Sequence, residues 1–323
     1  MRSVRSLAGL GLYVSRRIAV AVPILLGVSL LVFILLKMVP GGPVDGLLGP
    51  LSTQEQRQAL ETRLGFDQPA PVQYVKWLAS VGQGNFGDSI TKQTAAGRLV
   101  WDAFRNSLLL AAIAGAAALI GGVALGTAWA HSRRAASRGS AAAASVLAVS
   151  IPQYSFGVVL VAVLAVRFGV LPSGGMSSAT GAGGLTDSLR HLVLPALTAA
   201  VVPLGIIART QRAALLDVGV AGLTESLRAR GLGRVRVMAH ALHNTLPSLL
   251  TVAGLQFGYL LSGVVFVEII FSWPGLGLRV FEAISQRDLP VIQAGVMISA
   301  LAFVVMNLVV DVLHAVIDPR IAQ

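Results

Sequence analysis

Six stretches of this 323-residue chain carry no charged residue and approach or exceed the length of a bilayer crossing: 18–36, 107–130, 139–166, 192–208, 246–267 and 289–310. A hydrocarbon core about 30 Å thick needs roughly 20 apolar residues in helical form. Inside that layer each backbone amide must be bonded within its own segment, so the stretches specify helices. Core helices of a soluble bundle keep a polar face, and these have none. Composition agrees, with 55% hydrophobic and 12% charged residues and a mean hydropathy of +0.77; a soluble domain has about 25% charged residues. The sequence therefore reads as an all-α integral membrane protein with six transmembrane helices. Arg16 and Arg17 before the first stretch would also suit a secretory leader. Lys37 and "VPGGP" follow it instead of a small-x-small cleavage site, so it is read as a span.

Orientation follows from lysine and arginine. The N-terminal tail carries Arg2, Arg5, Arg16 and Arg17; the connection after the second span Arg133, Arg134 and Arg138; that after the fourth Arg209, Arg212, Arg228, Arg230, Arg234 and Arg236. The alternate short connections hold Arg190 alone, or Arg279 and Arg287 beside Glu282 and Asp288. The positive-inside rule puts both termini in the cytoplasm and makes the chain a multi-pass protein of the cytoplasmic membrane. The net charge of +11 is mostly this asymmetry. No nucleic acid is needed to explain it, since no basic surface interleaved with base-stacking aromatics is present. The resulting organisation is a cytoplasmic tail (1–17), a first helix (18–39), an extracytoplasmic segment (40–104), a five-helix core (105–316) with a cytoplasmic loop at 209–245, and a cytoplasmic tail (317–323).

The 40–104 segment has the marks of folded structure. Ser52 and Glu55 stand at capping-box spacing, Leu60 and Leu64 lie one turn apart, and Gly65 is placed as a stop. A second short helix is expected from Pro71 through Val72, Val75 and Leu78. Its six acids and five bases leave no strong sign, so the segment suits docking a partner or shielding the bundle equally. "SGGMSSATGAGGLT" at 173–186 reads as a flexible outside loop.

Several chemistries are excluded. There is no cysteine, hence no disulfide or thiolate metal site. His240 and His243 stand three apart with no third ligand nearby, so they read as part of a basic helix face. "SITK" at 89–92 matches a Ser-x-x-Lys pattern with no supporting motif, and no convincing nucleophile–base pair supports a membrane-embedded hydrolase. No Gly-Lys pair occurs, so the chain has no phosphate loop and no cofactor is assigned to it. Lys37, Arg167, Glu268 and Asp311 lie near span ends rather than at the midplane. With no inverted repeat visible, this disfavours the alternative of a secondary transporter or channel. Glu268 either shapes the outer mouth or snorkels to the interface. Ala118, Gly122 and Gly126 recur every four residues, a stripe that serves internal packing or subunit contact.

The densest positive charge lies in "ESLRARGLGRVRVMAHALHNTLP", residues 225–247, with four arginines. Leu223 and Leu227 lie one turn apart with Glu225, Arg228 and Arg230 around them, and Gly231 is suited to end the helix left-handed. Beyond the turn, Arg236, His240 and His243 form one helix face and Val235, Met238, Leu242 and Leu246 the other. The layout suits a protruding docking element, with an interfacial helix on anionic lipid as the competing reading.

This stretch resembles the cytoplasmic signature loop of ABC-importer permeases, specifically the B-type subunit of dipeptide and oligopeptide permeases. The similarity covers almost the whole chain: "LLGVSLLVFILLKMVPGGP", "RLGFDQPAPVQYVKWL", "GNFGDS", "SIPQYSFG", "HLVLPALT", "GLQFG", "VEIIFSWPGLG" and "NLVVDVLHAVIDPRI" follow in order. Leu227 replaces the usual alanine, Arg230 the usual lysine and Gly42 the aspartate of the PGDP pattern; the first two keep an apolar and a basic residue in place. The resemblance implies the type I importer permease fold and a peptide solute, although nickel and glutathione use the same permease type. It also implies a second related permease, two ABC ATPases that hold the ATP and magnesium, and an extracytoplasmic solute-binding protein, all within membrane lipid. It assigns ATPase coupling to Leu223, Glu225, Leu227, Arg228, Ala229, Arg230, Gly231, Leu232 and Arg234, with Arg236, His240 and Asn244 forming the neck.

Overall fold

The computed structural model describes residues 2–38, 53–64, 67–132, 150–178, 184–220 and 222–317, with Gly139 and Ala143. The described residues form α1 (Arg2–Met38), α2 (Gln54–Leu64), α3 (Ala70–Gly82), α4 (Ala96–His131) and α5 (Gln153–Leu160), which a π-helical stretch, Val161–Arg167, continues. Then come α6 (Gly184–Val220), α7 (Leu223–Ala229), α8 (Arg234–Ile270), α9 (Leu276–Ser285) and α10 (Leu289–Ile317). Among the described residues the β content is one isolated bridge, Asp88 to Ala95, so the all-α expectation holds.

Among the described residues four helices are long and apolar enough to cross a membrane: Ser15–Met38, Ala96–His131, Gly184–Gly219 and Leu289–Val312. A fifth, α8, bends by 48° between Arg234–Leu261 and Gly263–Ile270. The bend falls at Ser262–Gly263, a Ser/Gly pair of the kind that interrupts helix ladders. The third expected span, 139–166, is represented by the shorter apolar helix Gln153–Arg167. Its first half lies largely outside the described residues, as do Gly42, Ser52, Gly65, Arg133, Arg134, Arg138 and 318–323.

The chain divides into two units. In the first (Met1–Tyr13, Leu108–Trp273, Met306–Gln323), α6 packs against α5, α7 and α8. Ala111, Ala114 and Ala118 of α4 are buried with Leu194, Ala199, Ile207, Leu260 and Val264. A Cβ on Gly122 would lie 2.8 Å from Ile207 Cβ, and one on Gly126 would press into the Ala208 carbonyl. The small-residue stripe therefore serves packing of α4 on α6 within this chain. The loop expected to be flexible is tied down at its start: Gly175 N donates to Phe271 O at 2.7 Å. Ser178 donates from N and Oγ to Asp187 at 2.6 and 2.9 Å. Residues 179–183 lie outside the described set.

In the second unit (Val14–Ser107, Pro274–Val305) an aromatic cluster joins α3 to α1. Phe33 lies 5.4 Å from Tyr74 and 6.2 Å from Trp77 between ring centroids, and Tyr74 Oη pairs with buried Ser29 Oγ at 2.7 Å. The packing face of α3 is thus Tyr74 and Trp77, while Val72 and Val75 are exposed. The larger rings bury more apolar area per contact. The capping box of α2 is also displaced by one residue. Thr53 Oγ1 accepts from Gln56 N at 3.3 Å, and Gln56 Oε1 accepts from Thr53 N at 3.1 Å.

Candidate coupling surface and outer mouth

The short helix α7 is bounded by left-handed glycines, Gly222 (φ 72°) before it and Gly231 (φ 81°) after it. Its end is a Schellman motif: Leu232 N donates to Leu227 O at 3.2 Å and Gly231 N to Arg228 O at 2.9 Å. An L side chain at Gly231 would meet no atom within 4 Å, so backbone conformation alone selects glycine there. Glu225, Arg228, Ala229, Arg230 and Gly231 are exposed, while Leu223, Leu227 and Leu232 are half-buried. α7 packs on α6 and α8. Its arginines therefore point away from the body of the unit on a short, rigidly terminated protrusion.

Arg234, Arg236, His240 and Asn244 follow along the first turns of α8 and are all exposed; Asn244 Nδ2 donates to His240 O at 2.8 Å. The buried side of these turns is Val237, Ala241, Thr245 and Leu249, four residues apart. The expected apolar face is instead open: Val235 is 84% exposed and Leu246 42%. Two apolar stripes compete on this helix, and the one with small Ala241 and Thr245 allows the closer approach.

Two neighbouring groups went unnoticed in the sequence. Arg212, which reads there only as a topology charge, stacks its guanidinium 4.6 Å above the Trp129 ring. Gln211 beside it is fully buried and donates to Thr127 Oγ1 at 3.3 Å.

Glu268 stands in the last turn of α8, about 50 Å along that helix from Arg234 at 1.5 Å per residue. It is 1% exposed, which rules out snorkelling. Phe271 and Trp273 beside it are buried too, and Trp273 N closes the turn onto Glu268 O at 2.9 Å. Ser272 takes φ 47° at the bend. Gly174 lies so close to the Phe271 carbonyl that no Cβ would fit. The segment around Glu268 is thus a packed corner, not a solvated rim.

A second buried carboxylate, Asp288, joins the end of α9 to residues 89–91. It accepts from Ser89 Oγ, Thr91 Oγ1 (2.8 Å), Ile90 N (3.1 Å) and Thr91 N (3.2 Å). Burial pushes its carboxyl up, but donation from Ser89, Thr91 and Ile90 outweighs this and holds it below the usual carboxylate range. The serine of "SITK" therefore has a structural role.

An all-helical, multi-span chain with an exposed basic protrusion between two spans has the build of a transporter's membrane component. Family models bear this out: residues 118–323 match the binding-protein-dependent transport system inner membrane component, and residues 11–99 match the N-terminal part of such membrane components. The chain belongs to this family of inner membrane transport components. It is 35% identical over 311 residues to the oligopeptide transport system permease protein AppB of Bacillus subtilis, covering 96% of this chain and 98% of that one. It is 36% identical over 343 residues to the di/tripeptide transport system permease protein DppB of Pseudomonas aeruginosa, with the same coverage. The glutathione transport system permease protein GsiC of Salmonella typhi is 34% identical over 310 residues, again covering 96% of this chain and 98% of that one.

Proposed function

We propose that this chain is one of two related permease subunits of an ATP-driven importer for short peptides, served by an extracytoplasmic binding protein and two ATPases that hold the ATP and magnesium. The observation that supports the reading is the α7 protrusion, a Schellman-terminated helix on which Arg228 and Arg230 are exposed. Full-length similarity to named oligopeptide and di/tripeptide permeases supports the solute class. Glutathione is the second reading, favoured by the GsiC relatives.

In this reading six helices span the membrane, with Gln153–Arg167 ending the third and both termini cytoplasmic. α7 seats in a groove of one ATPase through Leu223, Glu225, Leu227, Arg228, Ala229, Arg230, Gly231, Leu232 and Arg234. Arg236, His240 and Asn244 form the neck that passes motion into α8. Closure of the ATPases on ATP draws the two protrusions together and shifts the spans from inward-open to outward-open, a population shift driven by differential nucleotide affinity. Glu268, held in the packed corner with Phe271 and Trp273, acts as part of the outer gate. The solute path follows the open side of α8, where exposed Ser248, Thr251 and Tyr259 are interleaved with Leu255 and Phe266. By contrast α10 exposes Leu301, Phe303, Val305 and Val309, a surface suited to lipid.

The test uses the cysteine-free background. In the assembled complex Leu227→Cys, paired with single cysteines along the ATPase groove, yields a disulfide where alpha carbons come within about 7 Å, and the yield changes with ATP. A full groove scan without a cross-link in any nucleotide state overturns the docking assignment. Uptake of labelled di- and tripeptides against glutathione in proteoliposomes with the cognate binding protein separates the two solute readings.

A further inference from the structure

Two helices carry α7, namely α6 before it and α8 after it. The neck on α8 is followed by Pro247 within the same helix, whereas the last proline of α6 is Pro203. Residues 204–220 of α6 are therefore an uninterrupted helical ladder, about 25 Å long at 1.5 Å per residue. This segment runs in step with the second half of α4. A Cβ on Gly121 would lie 3.0 Å from Leu204, one on Gly122 2.8 Å from Ile207, and one on Gly126 2.8 Å from Gln211 Cβ. Displacement of α7 thus reaches α4 directly through α6.

The contact changes character at its lower end, next to the stretch that leads into α7. Gln211 is fully buried and holds Thr127 Oγ1 at 3.3 Å through Nε2, while its Oε1 has no hydrogen-bond partner among the described residues. Arg212, the next residue, lies 4.6 Å above the Trp129 ring, and its Nε and the indole Nε1 are likewise buried without a partner there. Static packing favours apolar side chains at such a place, because buried polar atoms without partners are costly. Fixing topology requires only an exposed cation, which Arg228 and Arg230 already provide. A guanidinium over a ring face has a different merit. It attracts across the interface without a directional bond, so the two helices stay joined through small rotations.

We propose that Arg212 and Trp129, backed by Gln211 and Thr127, are positioning residues for transport: a clasp that makes the lower part of α6 carry α4 with it when α7 moves. The proposal rests on the docking of α7 to an ATPase. Without the clasp the ATPases still close, but less of their movement reaches α4, and hydrolysis is spent without import. Loss of a half-buried cation–ring contact corresponds to a change of about two- to thirtyfold in the population of the joined arrangement.

The experiment measures peptides imported per ATP hydrolysed, using the full complex in proteoliposomes with its binding protein and a labelled dipeptide. Arg212→Gln and Trp129→Leu should each lower this ratio by about two- to thirtyfold, with uptake falling more than hydrolysis. The double variant should be no worse than the poorer single one, and Trp129→Phe, which keeps a ring face, should recover much of the loss. A wild-type ratio in both single variants, parallel loss of uptake and hydrolysis, or additive effects in the double variant overturns the proposal. Should these variants fail to assemble, Arg212→Lys decides: it keeps the charge but loses the planar stack, so a lowered ratio is expected and a wild-type ratio overturns the clasp. The ATP-dependent cross-link from Leu227→Cys is followed in parallel. Its absence in the otherwise unaltered complex tells against docking of α7, whereas an intact cross-link with an unchanged ratio tells against the clasp alone.

Discussion

Gly231 offers the cleanest separation of backbone from side-chain effects. Its φ of 81° lies in the left-handed region, and an added Cβ would meet nothing within 4 Å in this chain. Gly231→Ala therefore carries only the conformational penalty, about 1–2 kcal/mol for an L residue in that region. If the turn relaxes to escape it, the population holding α7 in the described orientation falls by roughly five- to thirtyfold. Asparagine tolerates left-handed backbone better than other non-glycine residues, so Gly231→Asn should recover much of the loss although it is larger. The assay is ATP-driven peptide uptake by the reconstituted complex, beside ATPase activity stimulated by the binding protein. Uptake should rank wild type, Asn, then Ala, with assembly unchanged. Wild-type uptake by the alanine variant would refute the need for a left-handed turn. Asparagine doing worse than alanine would show that a partner's close approach, not φ, demands the missing side chain.

Asp288→Ala should lower the melting temperature of the solubilised complex through a loss of about 1–3 kcal/mol, since the donors of Ser89, Ile90 and Thr91 lose their acceptor. The folded-state carboxyl is depressed relative to the unfolded one. Its contribution is therefore present above the unfolded value of about 3.9 and fades as acid approaches the folded one, a pH dependence that the alanine variant should lack. Gly126→Val should reduce the yield of assembled complex by overpacking against α6, costing about 1–3 kcal/mol, whereas Gly258→Ala, with open space at its Cβ, should not. Glu268→Gln should slow uptake while leaving assembly intact; unchanged uptake kinetics would remove the carboxylate from the gate. The purified chain alone should hydrolyse no ATP, for want of a phosphate loop, and activity that survives removal of contaminating ATPases would contradict this.

What could be read directly from the chain was local. Uncharged runs marked the helices because lipid leaves the backbone no other solution, and Gly231 marked the end of α7 because few residues accept its conformation. The capping box was one residue off because Ser52/Glu55 and Thr53/Gln56 satisfy the same spacing. On α8 two apolar stripes share the 3.6 period, and the choice of Val237, Ala241 and Thr245 is made by neighbouring helices. The anchoring of Gly174 and Gly175 on Phe271 was hidden by a composition that signals flexibility. Glu268 gave no sign of its burial, since a single acid at the end of an apolar run fits either an interface or an enclosed corner.

The Asp288 contacts also bear on how the protein is made. The carboxylate and its donors stand 197–199 positions apart in the chain. At about 5–20 residues per second the ribosome takes roughly 10–40 s to cover that interval. Through that time Ser89, Ile90 and Thr91 have emerged while their acceptor has not yet been synthesised. The segment before α4 reaches its final bonding only when nearly the whole chain has been inserted, so a truncation anywhere before Asp288 leaves it unfinished.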